Sequence, residues 1–404
     1  MEFGPILSAL RRNKVGALVI VVQTAITLAI LCNSLFIIQE RLRLIDRPTG
    51  LQEQDIFTIS NQWVGNPSDL TARAQADLAA LRALPEVVDA YMSNSYPLSN
   101  GGWDDAIMLE PGDAHWVTTG ALYFTDQHGL STLGLKLIAG RNFDAAEIQD
   151  RTDMEGKPPS ALIVSQALAT KIFPNGDALS KSIYLTDYKS KVPIIGIVER
   201  LQEPWVSAGN KRVENAMLQP YRYISTYSHY VVRAKPGRLT AAMKSAQEQL
   251  RSVNRGRVIE KTRSMLESRH RAYQDDRGLA VILGVVSVVL VVVTAFGIIG
   301  VTSFWVSQRR RQIGIRRAMG ATRTAILRYF QTENLMIATA GAILGILLAL
   351  GLNFWMAGKF EMTRISIGST VAAAAIVLLL GQLAVLWPAL RAASISPVTA
   401  IRNA

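Results

Sequence analysis

Few residues in this chain combine the type and the spacing that chemistry needs. The four histidines, His115, His128, His229 and His270, are scattered and share no H-E-x-x-H or metal-ligand spacing. Asp104 and Asp105 beside Trp103, in SNGGWDD, could hold a cation or a substrate, but the glycines read more simply as a turn. The one cysteine, Cys32, lies in an apolar run and reads as an inert small hydrophobe; a single thiol allows no intrachain disulfide. No G-x-x-x-x-G-K-[ST] phosphate loop occurs. No catalytic residue, cofactor or metal is therefore expected on this chain. One cluster has chemical character. Arg309, Arg310, Arg311, Arg316, Arg317, Arg323 and Arg328 face a single acid, Glu333, and guanidinium groups so placed can pair with an acidic surface or with lipid phosphates.

The elements that must carry this cluster are apolar. Four windows hold no ionisable residue: Val15–Ile38, Gly278–Gln308, Asn334–Gly358 and Ile365–Leu390. Each reaches the roughly 20 helical residues that cross about 30 Å of hydrocarbon. The first follows Arg11, Arg12 and Lys14, is too long for a signal h-region and lacks an A-x-A site, so it reads as an uncleaved anchor. Phe304 and Trp305, Tyr329 and Phe330, Phe354 and Trp355, and Trp387 sit near the ends of these windows, as an interfacial belt would. Gly341 and Gly345, with Ala349 beyond, form a small-residue stripe that suits helix packing, within the chain or between copies. Windows without ionisable groups argue against a proton or ion pathway, and so against a channel or secondary transporter.

Composition fits this reading. The 404 residues carry a net charge of +12, which alone would suggest a nucleic-acid binder, yet 49% are hydrophobic and only 18% charged. Split by the windows, +10 falls on the termini and the arginine-rich loop, and +2 on the remainder. The positive-inside rule then puts both termini and that loop in the cytoplasm and the long segment 40–277 outside. No nucleic acid is needed to explain the charge.

The long segment reads as alternating strands and helices. Asp55–Ser60 is a strand, a helix with Leu70, Ala74, Leu78 and Leu81 on one face runs from an N-cap at Ser68 to a stop at Pro85, and Val87–Met92 is a second strand. The order recurs in His229–Ala234, a helix over Leu239–Val253 and Arg257–Thr262. Two β-α-β units at the ends point to one lobe, with the middle inserted as a second, mixed α/β lobe. Residues 264–277 lack Gly and Pro and are expected to run as one stalk helix into the second window.

Two segments reach a known family. SQRRRQIGIRRAMGATRTAILRYFQTENLM (Ser307–Met336) and PALRAASISPVTAIRNA (Pro388–Ala404) resemble the FtsX-like permease domain of MacB-type ABC transporters. Patterns around Gly134–Phe143 and Ile163–Phe173 are similar to the periplasmic domain of that family, and the resemblance is weakest over Asn61–Gly120. It implies a membrane α-helical fold with four transmembrane helices and a large two-lobed α+β extracytoplasmic domain between the first two. The division that follows is a cytoplasmic N-terminus (1–14), helices at 15–38, 278–306, 334–358 and 365–390, and a periplasmic domain at 40–277. That domain has lobe one at about 50–120 plus 220–265, the inserted lobe at about 121–219 and the stalk at 264–277. A coupling helix and loop (307–333), a short external loop (359–364) and a cytoplasmic tail (391–404) complete it.

The resemblance also implies a function. The chain would be a non-catalytic permease subunit in a bacterial inner membrane, working with two copies of a separate ATPase subunit that holds ATP and Mg. A second permease copy, identical or related, would complete the dimer, with a periplasmic adaptor and outer-membrane channel as further partners. ATP hydrolysis would reshape the periplasmic domains and expel drugs, peptides or toxins already outside the membrane. Alternatives are a lipoprotein-releasing, cell-wall-hydrolase-regulating or peptide-sensing permease, and, from another class, a membrane-anchored receptor with no ATPase. The ATPase-coupling element would be Arg309, Arg310, Arg311, Gln312, Ile313, Ile315, Arg316, Arg317 and Met319, with Ile315 and Met319 one turn apart as its apolar face. Gln312 stands where the family carries Glu, which removes one charged contact.

Overall fold

The computed structural model describes residues 14–394 apart from 66, 112–115, 152–156, 187–189, 207–211, 361–364 and 366. Arg11, Arg12, His115, Glu361, Arg364 and the end of the chain from 395 lie outside the described residues. The chain forms two compact units, Met1–Ile45 with Asp276–Ala404, and Asp46–Asp275. Helix α1 (Lys14–Ile45) opens the first; the chain then builds the second before returning.

The second unit begins with β1 (Ile56–Trp63), α2 (Leu70–Arg82) and β2 (Val87–Ser93), and ends with β12 (Tyr227–Ala234), α5 (Leu239–Val253) and β13 (Arg257–Ser264). The four strands form one sheet in the order β13-β1-β12-β2, every neighbour antiparallel. Each β-α-β unit is thus split by a strand of the other, the interleaved arrangement of ferredoxin-like sheets. Alternation decides which face is covered: Phe57, Ile59, Ala90, Met92, Tyr230 and Val232 pack under the two helices. In α5 the matching residues are Ala242, Ala246 and Leu250, four apart and fully buried. The N-cap of α2 is Asp69, one residue after Ser68.

Between β2 and β12 the chain makes a second lobe. Its strands are β3 (Trp103–Met108), β4 (Thr118–Phe124), β5 (Leu137–Gly140), β6 (Gln149–Arg151), β7 (Leu162–Ser165), β8 (Ser182–Leu185), β9 (Val192–Val198), β10 (Ala216–Gln219) and β11 (Tyr221–Tyr223), with short helices α3 (Gly129–Leu133) and α4 (Gln166–Ile172). Seven strands follow the order β5-β9-β7-β10-β4-β3-β8, and β8 also pairs with β9. Six strands therefore close on themselves, and β5, paired only with β9, lies outside the ring. Apolar residues such as Leu122, Phe124, Val164, Ile183, Ile194 and Met217 fill the core.

Two expectations change here. The inserted lobe starts earlier than residue 121, because β3 and β4 form a hairpin inside the closed sheet, pairing Trp103 with Leu122 and Ile107 with Thr118. Trp103–Asp105 is accordingly strand, not turn, and Asp105 Oδ1 accepts a hydrogen bond from Thr186 N at 3.0 Å. The stalk also divides: α6 (Met265–Ala272) stops and α7 (Gln274–Gln308) begins around Tyr273. Tyr273 has φ −103° and ψ 18°, is fully buried, and its hydroxyl accepts from Gln202 Nε2 at 2.9 Å. Neither Gly nor Pro stands at the interruption, and the residue there is held by a tertiary contact.

The first unit is completed by α7, α8 (Arg310–Ala318), α9 (Arg323–Phe360) and α10 (Ile367–Ala393). Helices α1, α7, α9 and α10 are long and apolar enough to cross a membrane. Their packing is uneven. A Cβ added to Gly341 would meet Thr24 Cβ at 2.8 Å, and one on Gly345 would meet Ala25 O at 2.9 Å. The glycine stripe therefore lets the backbones of α9 and α1 close up within one chain. Helix α7 buries far less, chiefly Thr294, Ile298, Thr302, Trp305 and Val306 towards its second half. Polar pairs sew the helices together: the Thr27 and Thr294 hydroxyls lie 2.7 Å apart, and Asn334 Nδ2 donates to Gly381 O at 3.3 Å. Arg41 on α1 meets Asp276 on α7 at 2.7 Å.

Candidate functional site

The arginine cluster folds as a distinct element. Helix α7 ends at Gln308; Arg309 occupies the N-cap of α8 with φ −98° and ψ 11°, so the direction of the chain changes at that residue. At the other end Gly320 takes φ +98°, a left-handed conformation that an L side chain resists, and no atom lies within 4 Å of a Cβ placed there. The glycine is required for its backbone alone. Thr322 Oγ1 then accepts from Ala325 N at 3.2 Å and caps the start of α9.

Helix α8 has two different faces. Ile313 and Gly314 are buried, and Ile313 joins Ile326 and Phe330 in an apolar cluster. Arg310, Arg311, Gln312, Ile315, Arg316 and Met319 are exposed, Ile315 by 42% and Met319 by 76%. A cavity of about 150 Å³ lies between α8 and α9, lined by Arg309, Gln312, Ile313, Arg316, Tyr329 and Phe330 among others. The Arg316 guanidinium stands 5.1 Å above the Tyr329 ring, and Arg317 Nη1 donates to Ala393 O of α10 at 3.2 Å. The nine residues expected to act together thus divide. Arg309, Ile313 and Arg317 are tied to neighbouring helices, whereas Arg310, Arg311, Ile315 and Met319 face outward.

The most specific contact involves a residue not selected from the sequence. Arg309 Nη1 lies 3.0 Å from each carboxylate oxygen of Glu333, and the two side chains are 13% and 2% exposed. The guanidinium also sits 5.9 Å from the Trp305 ring. Glu333 falls one residue before the third uncharged window, and it is the only acid between Arg277 and Glu361. A lone acid facing seven arginines was the signal available, although spacing could not say which arginine it meets.

The histidines serve other ends. His128 Nδ1 is within 3.0 Å of both oxygens of Asp89, which also accepts from Ser131 Oγ. His229 is wedged edge-on between Tyr96 and Tyr227, at 5.1 Å from each, with Nδ1 3.1 Å from Ser60 Oγ. Burial, with help from Lys261, pushes its pKa down to about 4. No group of three metal-ligating side chains occurs among the described residues.

Comparisons with known proteins agree on one family. The model of the MacB-like periplasmic core domain matches residues 24–253, and that of the FtsX-like permease C-terminal domain matches 284–397. The macrolide export ATP-binding/permease protein MacB of Chromobacterium violaceum is 26% identical over 279 residues, covering 66% of this chain and 41% of that protein. The pyoverdine export ATP-binding/permease protein PvdT of Pseudomonas aeruginosa is 26% identical over 284 residues, covering 66% and 42%. An uncharacterised ABC transporter permease of Bacillus subtilis, YvrN, is 24% identical over 258 residues, covering 60% and 61%. The chain spans about two fifths of the length of the first two. Among solved structures, the periplasmic region of MacB from Actinobacillus actinomycetemcomitans aligns with 57% of this chain and 97% of its own at 16% identity and a TM-score of 0.35. The periplasmic core model alone covers more than half of the sequence, and the chain belongs to the MacB-like, FtsX-type family of ABC transporter permeases.

Proposed function

We propose that this chain is the membrane subunit of a MacB-like exporter, driven by an ATPase on a separate polypeptide. In this reading α8 is the coupling helix. The observation that carries it is the asymmetry of α8: one side is tied to α9 and α10, and the other offers Arg310, Arg311, Ile315 and Met319 to solvent. Cationic groups around two apolar side chains suit an acidic groove with an apolar floor. The same charge supports reading α8 and both termini as cytoplasmic in a bacterial inner membrane, with 46–275 in the periplasm. Two permease chains and two ATPases then form the machine, and substrates are taken up from the periplasm and passed outward through an adaptor and an outer-membrane channel. The export roles printed for MacB and PvdT make a macrolide and a pyoverdine the first substrates to try.

The test is co-purification from a host expressing the chain with candidate ATPases. A complex should form with the native chain and be lost on Arg310→Glu with Arg311→Glu. A chain that binds no ATPase, or a double variant that binds and stimulates one normally, would remove α8 from this role.

A further inference from the structure

We propose that Arg309 and Glu333 are a positioning pair that locks α8 to α9, so that a push on α8 is delivered to α9 rather than absorbed by a bend at residue 309. The functional half of this inference rests on α8 being the element that meets the ATPase. The geometric half does not.

Arg309 occupies the one residue between α7 and α8. Its backbone N–H donates to Trp305 O at 3.0 Å, and its carbonyl accepts from Ile313 N at 3.0 Å, so it belongs to both helices at once. A one-residue junction at which two helices meet end to end is a natural place for a bend. The apolar contacts of Ile313 hold α8 near α9 but are non-directional and permit sliding. The charge pair does not. One nitrogen lies 3.0 Å from both oxygens of a carboxylate that is 2% exposed, and a small displacement would leave two charges apart in a medium that solvates neither. The sequence offers Glu333 seven arginines, and the fold gives it the one that sits at the hinge. Such selection sets a register, the best-attested use of a buried ion pair.

What α9 receives it can pass on. Eight and twelve residues beyond Glu333, Gly341 and Gly345 bring α9 against the backbone of α1. The latch therefore connects α8, through α9, to the close backbone contact between α9 and α1.

The test uses the full chain in lipid nanodiscs, with Cys32→Ser removing the native thiol and nitroxides placed at Met319→Cys, the C-cap of α8, and Leu347→Cys on the exposed side of α9. Pulsed electron resonance reads the distribution of distances between them. The unaltered pair should give a narrow distribution; Glu333→Gln and Arg309→Gln should broaden it severalfold. The exchange Arg309→Glu with Glu333→Arg should narrow it again, which a general loss of stability would not do. Circular dichroism and gel filtration identify any variant that has not folded, and Glu333→Asp, which keeps the charge but draws the carboxylate back by one methylene, then replaces it and should broaden the distribution. Equal widths in the native chain and a folded neutral variant would overturn the latch. With an ATPase bound, Glu333→Gln should keep the complex and lose the stimulation of ATP turnover by the permease; unchanged stimulation would overturn its role in coupling. A native chain that recruits no ATPase refutes the coupling reading, while the distance measurement still decides the latch.

Discussion

At the scale of single residues, the most consequential buried charges outside the membrane are Asp77 and Arg257. Both side chains are fully buried; the guanidinium donates two bonds of 2.6 Å to the carboxylate and stacks 4.1 Å from the Trp63 ring. Tyr230 donates to the same carboxylate. Asp77→Ala would leave Arg257 charged and unpaired in the core, and a loss of about 3–5 kcal/mol is expected in thermal or denaturant unfolding of the full chain. A loss well under 1 kcal/mol would mean that water reaches the site. His229 gives a prediction about acid. Folded, it titrates at about 4 against an ordinary 6.5. Between those values the unfolded chain binds a proton that the folded chain does not, so this contribution to stability rises with pH across the window and is constant above it. His229→Gln should flatten the dependence of Tm on pH between 4 and 6.5, and an unaltered slope would assign it to another group. Neither feature was legible in advance. Asp77 and Arg257 are separated by a whole inserted lobe, and no periodicity reports on partners so far apart.

At the scale of elements, the readable features were those whose cause is local. The spacing of Ala242, Ala246 and Leu250 marks α5, and the uncharged runs mark four long helices. Elements decided by distant contacts were missed. Strand β3 carries two acidic residues and follows Gly101 and Gly102, yet it belongs to a closed sheet because β4 and β8 flank it. At the break, Tyr273 bonds Gln202, 71 residues away, a contact that no local pattern announces. The glycine stripe lies between these cases: its spacing is visible in sequence, but its partner α1 is not. Gly345→Val would drive a side chain into Ala25 O, and a cost of about 1–3 kcal/mol is expected from overpacking. Gly284→Val on α7, with open space around the added carbon, serves as the control and should be near neutral. Equal Tm values for the two variants in the same lipid would show that α9 and α1 do not close on one another.

At the scale of the whole molecule, hydropathy and charge made the architecture legible because both are summed over many residues and tolerate local error. Four long helices with a large α/β domain between the first two follow from that sum. The interleaving of β1, β12, β2 and β13 does not. It is a matter of register between chain segments some 170 residues apart, such as Ile59 against Tyr230. The same limit applied to the candidate site. Its arginines were visible as a cluster, whereas its division into a bound face and a free face depends on where α9 and α10 happen to lie.

That interleaving has a consequence for how the molecule can change over time. Strands β2 and β12 are hydrogen-bonded neighbours, with Ser93 opposite His229. The chain leaves the sheet and returns to it at adjacent points, so the closed lobe is attached like an ornament at a hairpin. Such a segment can be lengthened, trimmed or exchanged for another with little effect on the strands that frame it. Sequence change can then accumulate in one lobe while the four-stranded sheet keeps the register of its strands.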